Sequence, residues 1–287
     1  MYDHDSGATW ADFVAGWEMD LYRDPVYCAV FAGVVLGYLG VFVVLRRMVF
    51  LTAAVSQAAG LGVALAFFAQ IHLATSVPPI VGAMLTALTF TAVLALPMDR
   101  LLISREAVLA LAYLLAWALS VLVGSRITQE AHDISSILFG TAVLVSPVDL
   151  WTLVGVGGLS LLVFAAMHRG LAFAVFDRES AQVQKLPVKL IELTGWLLTA
   201  LSVSAATRAL GVLPVFAFSV LPGVAALMLF SRLPAVLLAA AGIGAASGGA
   251  GYLLAFFNDF PVGASQAAVA FGFFLTALSV RRVFRRA

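Results

Sequence analysis

Apolar residues run in blocks of about 20, the length needed to cross the hydrocarbon core of a bilayer, and polar residues gather in short islands between them. The uncharged stretch 26–45 ends at Arg46 and Arg47. From 48 to 98 the only titratable group is His72, and Ser76, Val77, Pro78 and Pro79 divide that run into two spans. A polar turn at 99–106 precedes a fourth span over 107–125. The polar loop 126–133 is followed by the apolar stretch 134–146, too short to cross, which reads as re-entrant or buried. Spans over 150–167, 193–207, 209–231, 233–258 and 260–280 complete an all-α polytopic pattern of about nine transmembrane helices.

The first 24 residues differ from the rest. Trp10, Phe13, Val14, Trp17 and Leu21 recur at helical spacing, with Asp12, Glu18 and Asp20 on the other side. Thr9 and Asp12 have the spacing of a capping box. Two tryptophans on an amphipathic helix suit the headgroup interface, so 1–24 is expected to be an acidic interfacial segment and 25–287 a single membrane domain. Docking against an external partner is the other reading of this helix. The segment lacks the positive n-region of a signal peptide.

The longest polar island is 176–193, FDRESAQVQKLPVKLIEL. Asp177 suits an N-cap, Glu179 favours the positive end of the helix dipole, and Pro187 limits the helix. The stretch reads either as a solvated loop or as a short helix, near 177–186, docking into a groove on a soluble partner.

Lysine and arginine orient the chain. With about nine spans and the N-terminus outside, all but Arg23, Arg126 and Arg208 of the 16 basic residues fall on one side. By the positive-inside rule that side is cytoplasmic and includes the C-terminus and the 176–193 island. Two small-residue pairs, Gly33 with Gly37 and Gly244 with Gly248, should let backbones approach in lipid. Pro214, Pro222 and Gly223 are expected to interrupt the seventh span, with Pro222 a candidate for a pathway lining.

Composition narrows the function. Hydrophobic residues make up 63% and charged residues 11% of the chain, and mean hydropathy is +1.06. Neither soluble globular domains nor disordered chains have this composition. A formal charge of +1 is too small for nucleic-acid binding. The single cysteine, Cys28, excludes an internal disulfide and a cysteine-built zinc site. No G-x-x-x-x-G-K-[ST] phosphate loop is present, and nothing in the spans reads as a catalytic constellation. The spans also lack the charge relay of a secondary transporter, which makes that class a distant reading. A partner ATPase gripping the cytoplasmic island is the simplest source of energy. The chain itself is expected to be neither an enzyme nor the holder of a cofactor.

Five motifs in order carry a family resemblance: Arg46-Arg47-Met48 ahead of SQAAGLGVALAF (56–67), LFGTAVLVSPVDL (138–150), FDRESAQVQKLPV (176–188), RALGVLPVFAFSVLPGVAALML (208–229) and GYLLAFFNDFPVGAS (251–265). The chain resembles the permease subunits of zinc, manganese and iron ABC importers. The resemblance implies a type II-like permease in the inner membrane that works as a homodimer. Its implied partners are a cytoplasmic ABC ATPase dimer, which binds ATP and Mg, and an extracytoplasmic substrate-binding protein. The coupling element would be Phe176, Asp177, Arg178, Glu179, Ser180, Ala181 and Gln182. The chain departs from the family's usual aspartate, histidine and aspartate by having Ala53, Gln57 and Thr141. Ser56, Gln57, Thr141 and Pro222 are therefore the candidate pathway residues, and His132 with Asp133 a candidate external cation contact. An exposed pair such as His132 and Asp133 is more often only part of a solvated loop. The expected cargo is a divalent transition metal. The alternatives are a metal chelate or other small ligand, or a non-transporting membrane scaffold or sensor.

Overall fold

The computed structural model describes residues 9–18, 22–73, 77–96, 104–127, 145–176 and 187–284. The described regular structure is entirely α-helical. The helices are α1 (Trp10–Glu18), α2 (Arg23–Leu45), α3 (Val49–Leu73), α4 (Pro79–Ala95), α5 (Arg105–Gly124), α6 (Pro147–Ala166), α7 (His168–Phe176), α8 (Val188–Leu210), α9 (Val212–Leu229), α10 (Leu233–Asn258) and α11 (Val262–Phe284). Among them, 8 are long and apolar enough to cross a membrane, and the apolar α4 is shorter at 17 residues.

Local chemistry sets the boundaries. The Ser104 hydroxyl accepts from the Ala107 amide at 3.2 Å and opens α5. Ser146 and Asp149 form a reciprocal capping box at the start of α6, with Pro147 in the first turn. Pro79 likewise opens α4. Asp259, with φ 51, closes α10 in the left-handed region. Gly211 alone separates α8 from α9, and its φ of 95 and ψ of 168 are open essentially only to glycine. Within the spans, serine and threonine hydroxyls turn back onto their own helices, as Thr91 does onto Ala87 and Thr207 onto Val203. This removes the cost of bare hydroxyls in hydrocarbon.

The helix most enclosed by its neighbours is α3: 83% of its most apolar window is buried, against 17% for α5. The α5 side chains Leu111, Leu114, Leu115 and Leu122 point outward, as suits a helix facing lipid. The strongest packing joins α2 to α10. A Cβ placed on Gly33 would collide with the Gly244 carbonyl and one on Gly244 with the Gly33 carbonyl, while Gly37 abuts Ala240 and Gly248 abuts Ala29. The two glycine pairs thus meet each other across one helix crossing.

Two elements depart from the sequence reading. The helix α8 begins at Val188, ahead of the apolar stretch expected from 193, so Lys189 and Glu192 lie on helical turns. Pro222 lies inside α9 without breaking it. The neighbouring Gly223 packs at 3.2 Å from the Gly40 and Val41 backbone of α2 for a Cβ built there, so tight packing holds the segment helical despite the proline. At the other end of the chain, α1 packs through Phe13 on Tyr22 (5.9 Å between ring centres) and Phe256 (5.2 Å), and through Trp10 on Phe257 (4.9 Å).

Candidate functional site

Three polar side chains of α3, Thr52, Ser56 and Gln57, are buried. Ser56 is fully buried and donates its hydroxyl to the Ala53 carbonyl at 2.9 Å. Gln57, next to it, is 6% exposed, and its Oε1 is buried with no hydrogen-bond partner. Ala53 lies one turn before Gln57 and is itself buried. The helix around them is built of alanine and glycine, which allows close neighbours: Gly62 abuts Gly82 of α4, and Thr86 of α4 donates to the Ala58 carbonyl at 2.8 Å. The result is a small neutral polar site with one unsatisfied acceptor. An amide oxygen of this kind takes a hydrogen-bond donor or contributes a weak oxygen ligand to a hard cation.

Pro222, another of the four candidates, is buried in α9, where its neighbour Gly223 faces α2. Thr141, His132 and Asp133 lie outside the described residues, as do Asp177, Arg178, Glu179, Ser180, Ala181 and Gln182. Phe176 is the last residue of α7. His72 stacks on Phe68 at 4.3 Å, and a ring nitrogen of His168 lies 2.8 Å from the Ala165 carbonyl. Among the described residues, no three His, Cys, Asp or Glu side chains come together to hold a metal ion.

One pair escaped the sequence reading. The Asp149 carboxylate, with 4% of its side chain exposed, lies 3.9 Å from the Arg208 guanidinium. Ser146 holds the same carboxylate oxygen through its hydroxyl at 2.8 Å and its amide at 3.3 Å. The buried Arg208 Nε has no hydrogen-bond partner. The only trace of this pair in the sequence is the S-P-x-D capping pattern at 146–149, which explains an aspartate but not its cationic neighbour.

Comparison with known proteins places this bundle. The family model described as the ABC 3 transport family matches residues 18–281. The manganese transport system membrane protein MntC of Halalkalibacterium halodurans is 29% identical over 255 residues, covering 89% of this chain and 85% of that one. The chelated iron transport system membrane protein YfeD of Yersinia pestis is 26% identical over 253 residues, covering 88% and 83%. Among solved structures, PsaBC from Streptococcus pneumoniae in complex with Fab superposes with a TM-score of 0.82 at 22% identity, over 94% of this chain and 95% of that one.

Proposed function

The chain belongs to the ABC 3 transport family, a multi-pass membrane protein of the metal ABC transporter permease type, and from that premise we propose that it is the permease of an ATP-driven importer for a divalent transition metal. Two copies of the chain enclose the path, a cytoplasmic ATPase dimer supplies the energy, and an extracytoplasmic receptor delivers the cargo. ATP and Mg bind to the partner. The 177–186 stretch receives the ATPase stroke and passes it to the spans.

The observation that carries this reading is the family match across 18–281, nearly the whole chain. The described geometry suits it. An external motor suits a bundle whose most enclosed helix is lined by alanine, glycine and uncharged polar groups. The relatives named for manganese and chelated iron transport support a metal cargo.

A second reading rests on Gln57 and Ala53. With a neutral amide and a methyl group at these buried positions, the path suits a metal carried inside a chelate better than a bare ion, because carboxylate and imidazole are the stronger ligands for bare divalent metals. The test is uptake into proteoliposomes holding this chain and its ATPase, with receptor present, for manganese, iron and zinc as free ions and as chelates. Accumulation of a free ion supports the first reading and accumulation only of chelates the second. Receptor-stimulated ATP hydrolysis with no solute movement would overturn both.

A further inference from the structure

The helix α1 takes no part in the transport reading, yet the bundle fixes both its place and its rotation. Its place follows from the chain. It ends at Glu18, and the membrane-crossing α2 begins at Arg23. The rings that hold it on the other side, Phe256 and Phe257, belong to the last turn of the membrane-crossing α10. So α1 is bound to the ends of two spans, where hydrocarbon gives way to headgroups.

Its rotation follows from the packing. Phe13 lies between Tyr22 and Phe256, and a Cβ on the buried Gly16 would run into the Tyr22 ring. Trp17 is also drawn in, 5.6 Å from Tyr27. Trp10 and Val14, one helical turn apart and so on one side, are left 62% and 51% exposed. Trp10 meets α10 at Phe257, just beyond an uncharged exposed stripe of that helix formed by Leu238, Gly242, Ala246, Ala250 and Leu254. Ala15, about 200° round the helix from Phe13, is exposed on the side turned away from the bundle.

We propose that α1 lies along the membrane surface with Trp10 and Val14 in the boundary between headgroups and acyl chains, so that the partner of this face is the lipid itself. The exposed pair continues the uncharged stripe of a helix that crosses the membrane, and an indole, apolar in body with a polar N–H, suits that depth. The same rotation turns Ala15 toward water. Charge then selects the lipid. Asp12, Glu18, Asp20 and Asp24 stand against Arg23 in this part of the chain, and the negative potential of anionic headgroups repels such a segment. Zwitterionic lipid is the surface it fits. The proposal needs the membrane placement of the chain and not the identity of any cargo or motor.

The test uses the full chain in phosphatidylcholine vesicles, with nitroxide labels on Val14→Cys and on Ala15→Cys, each in a Cys28→Ala background. Oxygen concentrates in the bilayer and a nickel chelate stays in water. Collisions with oxygen should exceed those with nickel at position 14, and the order should reverse at position 15. Exchanging phosphatidylcholine for phosphatidylglycerol should shift the reading at position 14 toward water, and identical readings would overturn the lipid preference. A label at position 14 met mainly by nickel would place this face in water. One shielded from both reagents would place it against protein, and either result overturns the proposal. Without any label, Trp10→Phe should remove part of the emission quenched by brominated phosphatidylcholine. Quenching unchanged by that substitution would overturn the proposal too.

Discussion

Gln57 and Gly244 show two opposite relations between a buried residue and stability. The Gln57 Oε1 is enclosed without a partner, and a buried acceptor left unmet costs about 1–3 kcal/mol. Gln57→Leu is therefore expected to keep or raise the melting temperature of the purified protein while uptake by the assembled transporter falls. A lower melting temperature with normal uptake would make Gln57 a packing residue. Gly244 has the reverse signature. Gly244→Val would drive its side chain into the Gly33 backbone, and overpacking of this kind costs about 1–3 kcal/mol. Thermal unfolding followed by size-exclusion chromatography should show the loss. The spacing of each glycine pair is legible in the sequence, but that Gly33 meets Gly244 is not, because helix pairing depends on contacts remote along the chain. Asp149 and Arg208 were hidden for the same reason. One reads as a cap and the other as a charge beside a span, and only the packing of α6 on α8 brings them together.

At the scale of elements, the helices were the most legible feature. Backbone groups in lipid must be satisfied within their own segment, so long apolar stretches become helices almost wherever they occur. The ends were less legible, since helical hydrogen bonding continues past the apolar core: α8 takes in Lys189 and Glu192. Pro222 misleads in the other direction, because the sequence shows its missing N–H but not the α2 backbone packed beside Gly223. The amphipathic pattern of α1 was readable, whereas its aromatic partners Phe256 and Phe257 on α10 were not. The 177–186 stretch carries the prediction that belongs here. Replacing residues 177–182 with a glycine-serine linker should leave membrane insertion intact and abolish co-purification of the ATPase. Undiminished co-purification would remove this stretch from the coupling role.

For the whole molecule, composition and the order of five motifs identified the class, and the family match over 18–281 agrees with it. Cargo is less legible, because it depends on a few path residues and none of Ser56, Gln57, Thr141 and Pro222 is an imidazole or a carboxylate. The proposed assembly predicts that native mass spectrometry of the complex from membranes finds this chain and the ATPase in equal numbers, two of each. A single permease per complex would contradict a path enclosed by two copies.

Gly211 carries its own consequence for how force spreads through this assembly. With one residue joining α8 to α9, and that residue in a conformation closed to other amino acids, the corner has no slack, like a hinge pin without play. Any tilt of α8 must drag the top of α9, and α9 bears on α2 through Gly223. A tag or protease site spliced into this corner would therefore slacken the linkage itself.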